Sequence, residues 1–493
     1  MEPNLGGKAG NFLGKFTVLN GAARELWLTF LLKFVIVAAY AVTNSTIVLW
    51  LSHDLGFSDK MALFSVAMWS SVITVATLLV GAFTDAFGLR RTFFLGVWIC
   101  VIARIVMALS PFKWVALAAG LFPLAVGEAL GTPVLIAAVH RYSTTKQRSI
   151  SFSIIYAVMN LGFLVSAYLF DWVRQSLGEY GHFKLPLLGL ELTTYQMLFL
   201  ASWGIELIAL PALWFLREGV EATDEGLKFT PLVPSHSGGK PFGSRASQVI
   251  CDSARETKEF FLRLMRQEGF HRLLIFLLLI SFLKLVFMQM YYVFPKFGIR
   301  ELGPGAPVGR LFAINSYFII FLVPIIGALT QRFSAYSMVI VGGIITSFSM
   351  AIMALPVQWF ASLSQGPVGH WIGHYYLGLH GEVNPYYLLI ALFVITLSFG
   401  EAFYSPRVYE YAAAIAPKGQ EASYGALSYI PFLMGKIFTG TISGVLLEKF
   451  CPENGVRHSW AMWLILAMIA TIAPVGLALL QRFIRVREVG REE

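Results

Sequence analysis

The 493-residue chain is 57% hydrophobic and 15% aromatic, with only 13% charged residues, about half of the ~25% usual in soluble domains. Its formal net charge is +9, and its three cysteines (Cys100, Cys251, Cys451) have neither disulfide-framework nor zinc-ligand spacing. These figures exclude an ordinary soluble fold and point to a polytopic membrane protein.

The N-terminal residues 1–16 lack the apolar core and cleavage site of a signal peptide, so the first helix itself is expected to insert from a cytoplasmic N-terminus. Apolar windows long enough for a ~30 Å hydrocarbon layer then predict six spans near 26–51, 62–83, 92–110, 114–139, 149–172 and 196–216. A polar stretch follows. Its Pro-, Ser- and Gly-rich part, FTPLVPSHSGGKPFGSR, reads as a loop, and Ser247 to Glu268 as an amphipathic helix on the membrane surface. Six more spans are predicted near 271–296, 309–331, 335–356, 385–415, 421–447 and 459–481. The expected fold is an all-α membrane protein with twelve transmembrane helices: a six-helix bundle over 1–216, a linker over 217–270 and a second bundle over 271–493.

The predicted cytoplasmic segments hold 23 Lys and Arg, the external ones 9 and the spans 5. This bias follows the positive-inside rule, so the basic surplus needs no nucleic-acid partner. It places both termini in the cytoplasm of a cell (inner) membrane protein.

The two halves carry a repeat. Gly127-Glu128-Ala129 and Pro133 match Gly400-Glu401-Ala402 and Pro406 at an offset of 273, and the same offset joins Gln147 to Gln420, Tyr156 to Tyr429 and Gly162 to Gly435. After the second span, Gly81, Asp85, Gly88, Arg90 and Arg91 form a pattern with a weaker echo at Gly327 and Arg332. That pattern resembles the signature loop of the major facilitator superfamily, which implies two pseudo-symmetric six-helix bundles. Asp85, paired with Arg90 or Arg91, would hold a cytoplasmic gate closed until the pairing breaks.

Within that superfamily, three segments resemble the proton-dependent oligopeptide transporters: residues 127–162, the INSYFIIFLVPIIG stretch, and GEAFYSPRVYEYAAAIAPKG. The resemblance implies that Asn160, Asn315 and Glu401 face a peptide, with the glutamate receiving its amino terminus. Two features depart from the family. Its helix 1 motif of two acids and an arginine is replaced here by Thr29-Phe-Leu-Leu-Lys33, and its helix 4 lysine by Thr132.

An ionisable residue at mid-membrane costs roughly 2.5–3.5 kcal/mol on insertion scales, so each needs a partner, a wet cavity or a function. Under the superfamily resemblance, spans 1, 4, 7 and 10 line the central cavity. These spans carry Lys33, Glu128, Lys284 and Glu401, one lysine and one glutamate from each half, with Arg407 and Glu410 further along span 10. Glu401 with Lys284, and Glu128 with Lys33, are expected to form switchable pairs, broken by protonation or by a charged solute. Tyr40, Tyr156, Asn160, Gln289 and Asn315 are polar candidates at cavity depth. Arg104, Glu206 and Lys436 are expected to support the fold through interhelical ion pairs.

The histidines His370, His374 and His380 sit among aromatics in an external loop and read as an interfacial belt rather than a metal site. No nucleotide-binding loop or catalytic motif is legible, so no enzyme activity, cofactor or metal is expected. The expected function is secondary active transport of a small solute by alternating access, coupled to protons, in a monomer within the lipid bilayer. A di- or tripeptide and a non-peptide solute (sugar, nucleoside, organic ion or drug) both remain open, as does the direction. A receptor or enzyme on the same scaffold is the remaining alternative.

Overall fold

The computed structural model describes residues 19–184, 189–229, 265–330, 332–415 and 430–486, with a few isolated positions between 251 and 259. Most of the predicted surface helix at 247–268 and of the Pro/Ser/Gly-rich loop lies outside the described residues. Eleven described helices are long and apolar enough to cross a membrane. They are carried by α1 (Arg24–His53), α2 (Asp59–Phe87), α3 (Leu89–Leu109), α4 (Phe122–Tyr142), α5 (Thr145–Leu177), α6 (Thr194–Leu207), α7 (Glu268–Tyr292), α8 (Val308–Leu329), α9 (Ala335–Ile352), α10 (Pro385–Ile415) and, after α11, α12 (Ser459–Leu479). The span expected at 421–447 is described from residue 430: α11 (Ile430–Phe438) runs without a break through a π-helical turn, Thr439–Ser443, into Gly444–Phe450. Among the described residues, each of the twelve predicted spans corresponds to helix.

Three features were not anticipated. Antiparallel hairpins join β1 (His182–Lys184) to β2 (Glu191–Thr193) and β3 (Val220–Thr223) to β4 (Gly226–Phe229), so the all-α fold carries two small ribbons outside its spans. The predicted 271–296 span ends at Tyr292, and a separate short helix, Phe294–Leu302, follows it with a proline in its first turn. Proline is tolerated there because the first helical N–H groups have no intrahelical partner.

Contacts divide the chain into two compact units, residues 1–41, 72–163 and 199–258 in one and 42–71, 164–198 and 259–493 in the other. The first has a core of aliphatic and aromatic side chains from α1, α3, α4 and the short helix Ala209–Trp214 that follows α6, among them Leu26, Phe93, Leu135 and Leu213. In the second, Phe276, Tyr336, Tyr411 and Leu477 centre a core drawn from α7, α9, α10 and α12.

The sequence repeat has a packing cause. A Cβ on Gly127 would lie 2.9 Å from the Gly96 carbonyl, where α4 crosses α3; a Cβ on Gly400 would lie 3.0 Å from the Gly342 carbonyl, where α10 crosses α9. Gly162 meets α1 at Val37 and Phe34, and Gly435 meets α7 at Lys284 and Leu285. The repeated glycines are thus the close-approach points of equivalent helix pairs, and in each half the first of the two is followed directly by the repeated glutamate.

Candidate functional site

Each unit contains a buried polar cluster built around one repeated glutamate. In the first, Glu128 of α4 accepts a short ion-paired hydrogen bond from Arg104 Nη2 of α3. Arg104 Nη1 also lies 3.4 Å from Glu206 Oε2 of α6. Lys33 of α1 is buried within electrostatic reach of Glu128. The direct partner of Glu128 is therefore Arg104, not Lys33 as expected, because the guanidinium enters from the helix that α4 crosses at Gly127. The supporting role expected for Arg104 and Glu206 is met by this interhelical bridge.

In the second unit, Glu401 Oε2 accepts a hydrogen bond from Asn315 Nδ2 at 3.0 Å, and the same amide donates to Ser398 Oγ at 3.1 Å. Lys284 lies within electrostatic reach of Glu401. Its ammonium donates to Ser405 Oγ at 3.3 Å and stands 4.9 Å from the centre of the Tyr404 ring. Ser398, Glu401 and Ser405 recur at i, i+3 and i+7 and share one face of α10. Pro406 sits inside α10 immediately beyond Ser405 and removes a helix hydrogen bond one turn back, next to Glu401. Of the side chains that sequence reasoning assigned to this half, Lys284 and Asn315 lie about Glu401.

Gln289 does not join them. Its Nε2 donates to Ser443 Oγ at 2.9 Å and to the Leu285 carbonyl at 3.2 Å, fastening α7 to the helical run that follows α11. Asn160 donates to the Tyr156 carbonyl at 3.0 Å, one turn back on α5, and Tyr40 is half-buried on α1.

In the signature loop, Gly88 has φ 86°, a backbone conformation that favours glycine, and turns α2 into α3. Arg90 donates to the carbonyls of Trp214 at 3.0 Å and Leu213 at 3.3 Å, at the end of the sixth span. Arg91 pairs with Glu218 at 3.4 Å. Gly81 and Asp85 belong to α2, but their side chains are outside the described set, as is the expected pairing of Asp85.

A second layer of polar contacts, missed in the sequence, lies at the helix ends that the charge bias assigns to the outside. Asp59 of α2 receives Lys296 and, at 2.7 and 3.0 Å, Arg300, both from the short helix after α7. These residues line a cavity of about 370 Å³ together with His53, Tyr180 and Tyr195. Asp171 of α5 caps the start of α8, accepting from the Gly309 and Arg310 amides at 2.9 and 2.6 Å, where the helix dipole also favours a carboxylate. Arg174 joins Asp171 to Glu179. Burial pushes the Glu179 carboxyl up, but Arg174, the Gly305 amide and the Tyr195 hydroxyl outweigh it and hold the group below the usual range. The i, i+4 spacing of Lys296 and Arg300 was a visible signal for one face, but nothing in the sequence named Asp59 as its partner.

His370 and His374 meet edge to face with ring centres 4.5 Å apart and line a cavity of about 600 Å³ with Glu382. Among the described residues, no three His, Cys, Asp or Glu side chains gather as a metal-binding group.

Residues 29–379 match the sequence profile of the Major Facilitator Superfamily. The chain belongs to the major facilitator superfamily. It is an integral, multi-pass membrane transporter with the fold of that superfamily. A search of curated proteins gives no match. Among solved structures, a POT family transporter in complex with a thioalcohol-conjugated peptide is similar to this superfamily member over 94% of its length and 97% of the other chain, with TM-score 0.68 and 17% identity. A POT family transporter bound to 5-aminolevulinic acid has TM-score 0.67 at 17% identity, covering 94% and 97%. A mutant of the peptide transporter POT with alafosfalin has TM-score 0.67 at 16% identity, covering 93% and 94%. At these identities the likeness concerns the fold.

Proposed function

We propose that this transporter is a proton-coupled symporter of di- or tripeptides or closely related small solutes, with Glu401 as the group where proton and solute meet. The observation that carries this reading is the setting of Glu401: a buried carboxylate held by Asn315 from α8 and faced by Lys284 from α7. A carboxylate with one neutral donor and one nearby cation can exchange that cation in two competing ways, by taking a proton or by receiving a solute ammonium. Either event releases Lys284 and biases the access equilibrium. Glu128, Lys33, Asn160, Tyr156 and Tyr40 are the solute- and proton-coupling groups of the N-terminal half, and Gln289 positions α7 in the C-terminal half. The two six-helix bundles, 1–216 and 271–493, are the units that alternate. Gly81, Asp85, Gly88, Arg90 and Arg91 form the cytoplasmic gate of a protein in the cell membrane, both termini inside.

The POT family neighbours that hold a peptide conjugate, 5-aminolevulinic acid and alafosfalin support a solute of this class. The test is uptake of labelled di- and tripeptides into proteoliposomes under an imposed pH gradient. Gradient-driven accumulation is expected; peptides that neither move nor compete refute the peptide assignment. A second reading, a non-peptide solute on the same machinery, is favoured by Thr132 in place of the family lysine and by the absence of acids between Thr29 and Lys33.

A further inference from the structure

We propose that Glu206 is a proton-binding site of the N-terminal half, and that its protonation state decides whether Arg104 or Lys33 neutralises Glu128. The proposal rests on the proton-coupled reading above and gives the N-terminal half a titrating group where the resembling family's helix 1 acids are missing.

One guanidinium serves two carboxylates. Arg104 is fully buried, with its short contact directed to Glu128 and a longer one, 3.4 Å, to Glu206. Glu206 is 1% exposed, and its Oε2 is a buried oxygen without a hydrogen-bond partner among the described residues. An ionised carboxylate is costly in that position and a protonated one much less so, because desolvation penalises charge far more than a neutral hydroxyl. The charged and titratable groups facing the pair are Lys33 on α1, Cys100 and Arg104 on α3, and Glu128 on α4. Cys100 is a buried thiol and contributes no charge of its own in the neutral form.

The proton accounting is simple. With Glu206 protonated, Arg104 belongs to Glu128, and the Lys33 ammonium is not needed to neutralise that carboxylate. When the O–H bond of Glu206 breaks and the proton passes to water by way of Glu128, the more exposed of the two acids, Glu206 becomes an anion and draws Arg104 toward itself. Glu128 then turns to Lys33. One proton leaves, one negative charge appears, and one cation changes partner. Glu206 touches no solute in this scheme; it acts through Arg104, as a positioning group whose charge is switched.

The test is infrared spectroscopy of the purified transporter in lipid, following the carbonyl-stretch band of protonated carboxyl groups across pH, in the wild type, Glu206→Gln and Glu206→Asp. The expected result is a protonated-carboxyl band near neutral pH that is lost in Glu206→Gln and restored, shifted in its pH midpoint, in Glu206→Asp. A wild-type band that Glu206→Gln leaves intact, or no such band near neutral pH, overturns the proposal. Proteoliposome uptake of labelled dialanine under a pH gradient is measured in parallel. Loss of the band in Glu206→Gln together with wild-type uptake indifferent to the gradient keeps the proton site and refutes the proton-coupled reading instead.

Discussion

Replacing Asp59 by alanine leaves Lys296 and Arg300 facing one another without their shared carboxylate. Asp59 accepts three hydrogen bonds, one from Lys296 and two from Arg300, and is 8% exposed. Removing one partner of a buried ion pair costs ~3–5 kcal/mol. Because this site borders a cavity that water can enter, the lower end applies, about 3 kcal/mol, or roughly 100-fold in the local opening equilibrium. A native reporter stands next to it. Arg300 donates to the Cys451 carbonyl at 2.6 Å, and the Cys451 thiol is buried. In a Cys251→Ser background, which removes the exposed cysteine, Asp59→Ala is expected to raise the rate of Cys451 modification by a membrane-impermeant thiol reagent by about two orders of magnitude, with Cys451→Ser as the blank. A rate within about threefold of the parent refutes the role given to Asp59.

Three further outcomes are expected. Gly400→Ala puts a methyl group 2.3 Å from Thr346 Oγ1 and should lower stability by about 1–3 kcal/mol, read as a reduced melting temperature in lipid nanodiscs; Gly127→Ala should do the same through Cys100 and Gly96. Asp171→Asn keeps one acceptor but turns an NH₂ toward one of the two backbone donors, so hydrogen exchange at Gly309 or Arg310 should speed up by roughly 10–100-fold, corresponding to about 1–3 kcal/mol. Because the Glu179 carboxyl is held below its ordinary value, its contribution is complete above that value and is lost as pH falls through the lower, folded-state one. Protection of the Gly305 amide should therefore stay level from pH 8 to about 5 and fall only in stronger acid, an acid dependence that Glu179→Gln removes.

The spans were legible because a bilayer demands about 20 apolar residues and leaves little room for disguise. The repeat was legible for a related reason: Gly127, Gly162, Gly400 and Gly435 occupy crossings where no side chain fits, so both halves retain them in register. Partner choice within the clusters was less so. Lys33 and Lys284 match under the repeat, yet Glu128 is bridged by Arg104 from α3, the helix its glycine crosses, while Glu401 is bonded by Asn315 from α8, a helix its glycine does not cross. Gln289 looked like a cavity residue by depth but faces the turn at Ser443, a difference of azimuth that a nearly uniform apolar helix does not encode. Glu179 and Asp171 reach backbone amides more than 100 positions away, at the Gly305 turn and at Gly309 in the start of α8, and Asp59 reaches Lys296 and Arg300 over a longer separation; no local pattern marks such pairings. The ribbon at 220–229 did carry a signal, the Asp224-Glu225-Gly226 turn between alternating residues, which the polar composition of the linker obscured.

The central claim is that Glu401 couples proton to solute, and the pH profile of dipeptide accumulation in proteoliposomes, wild type against Glu401→Gln, tests it most directly. The account predicts that the wild type concentrates peptide along an inward proton gradient, while Glu401→Gln, unable to ionise or to receive a proton, no longer does so and loses its dependence on pH. Gradient-driven accumulation by Glu401→Gln with the wild-type pH profile intact contradicts it.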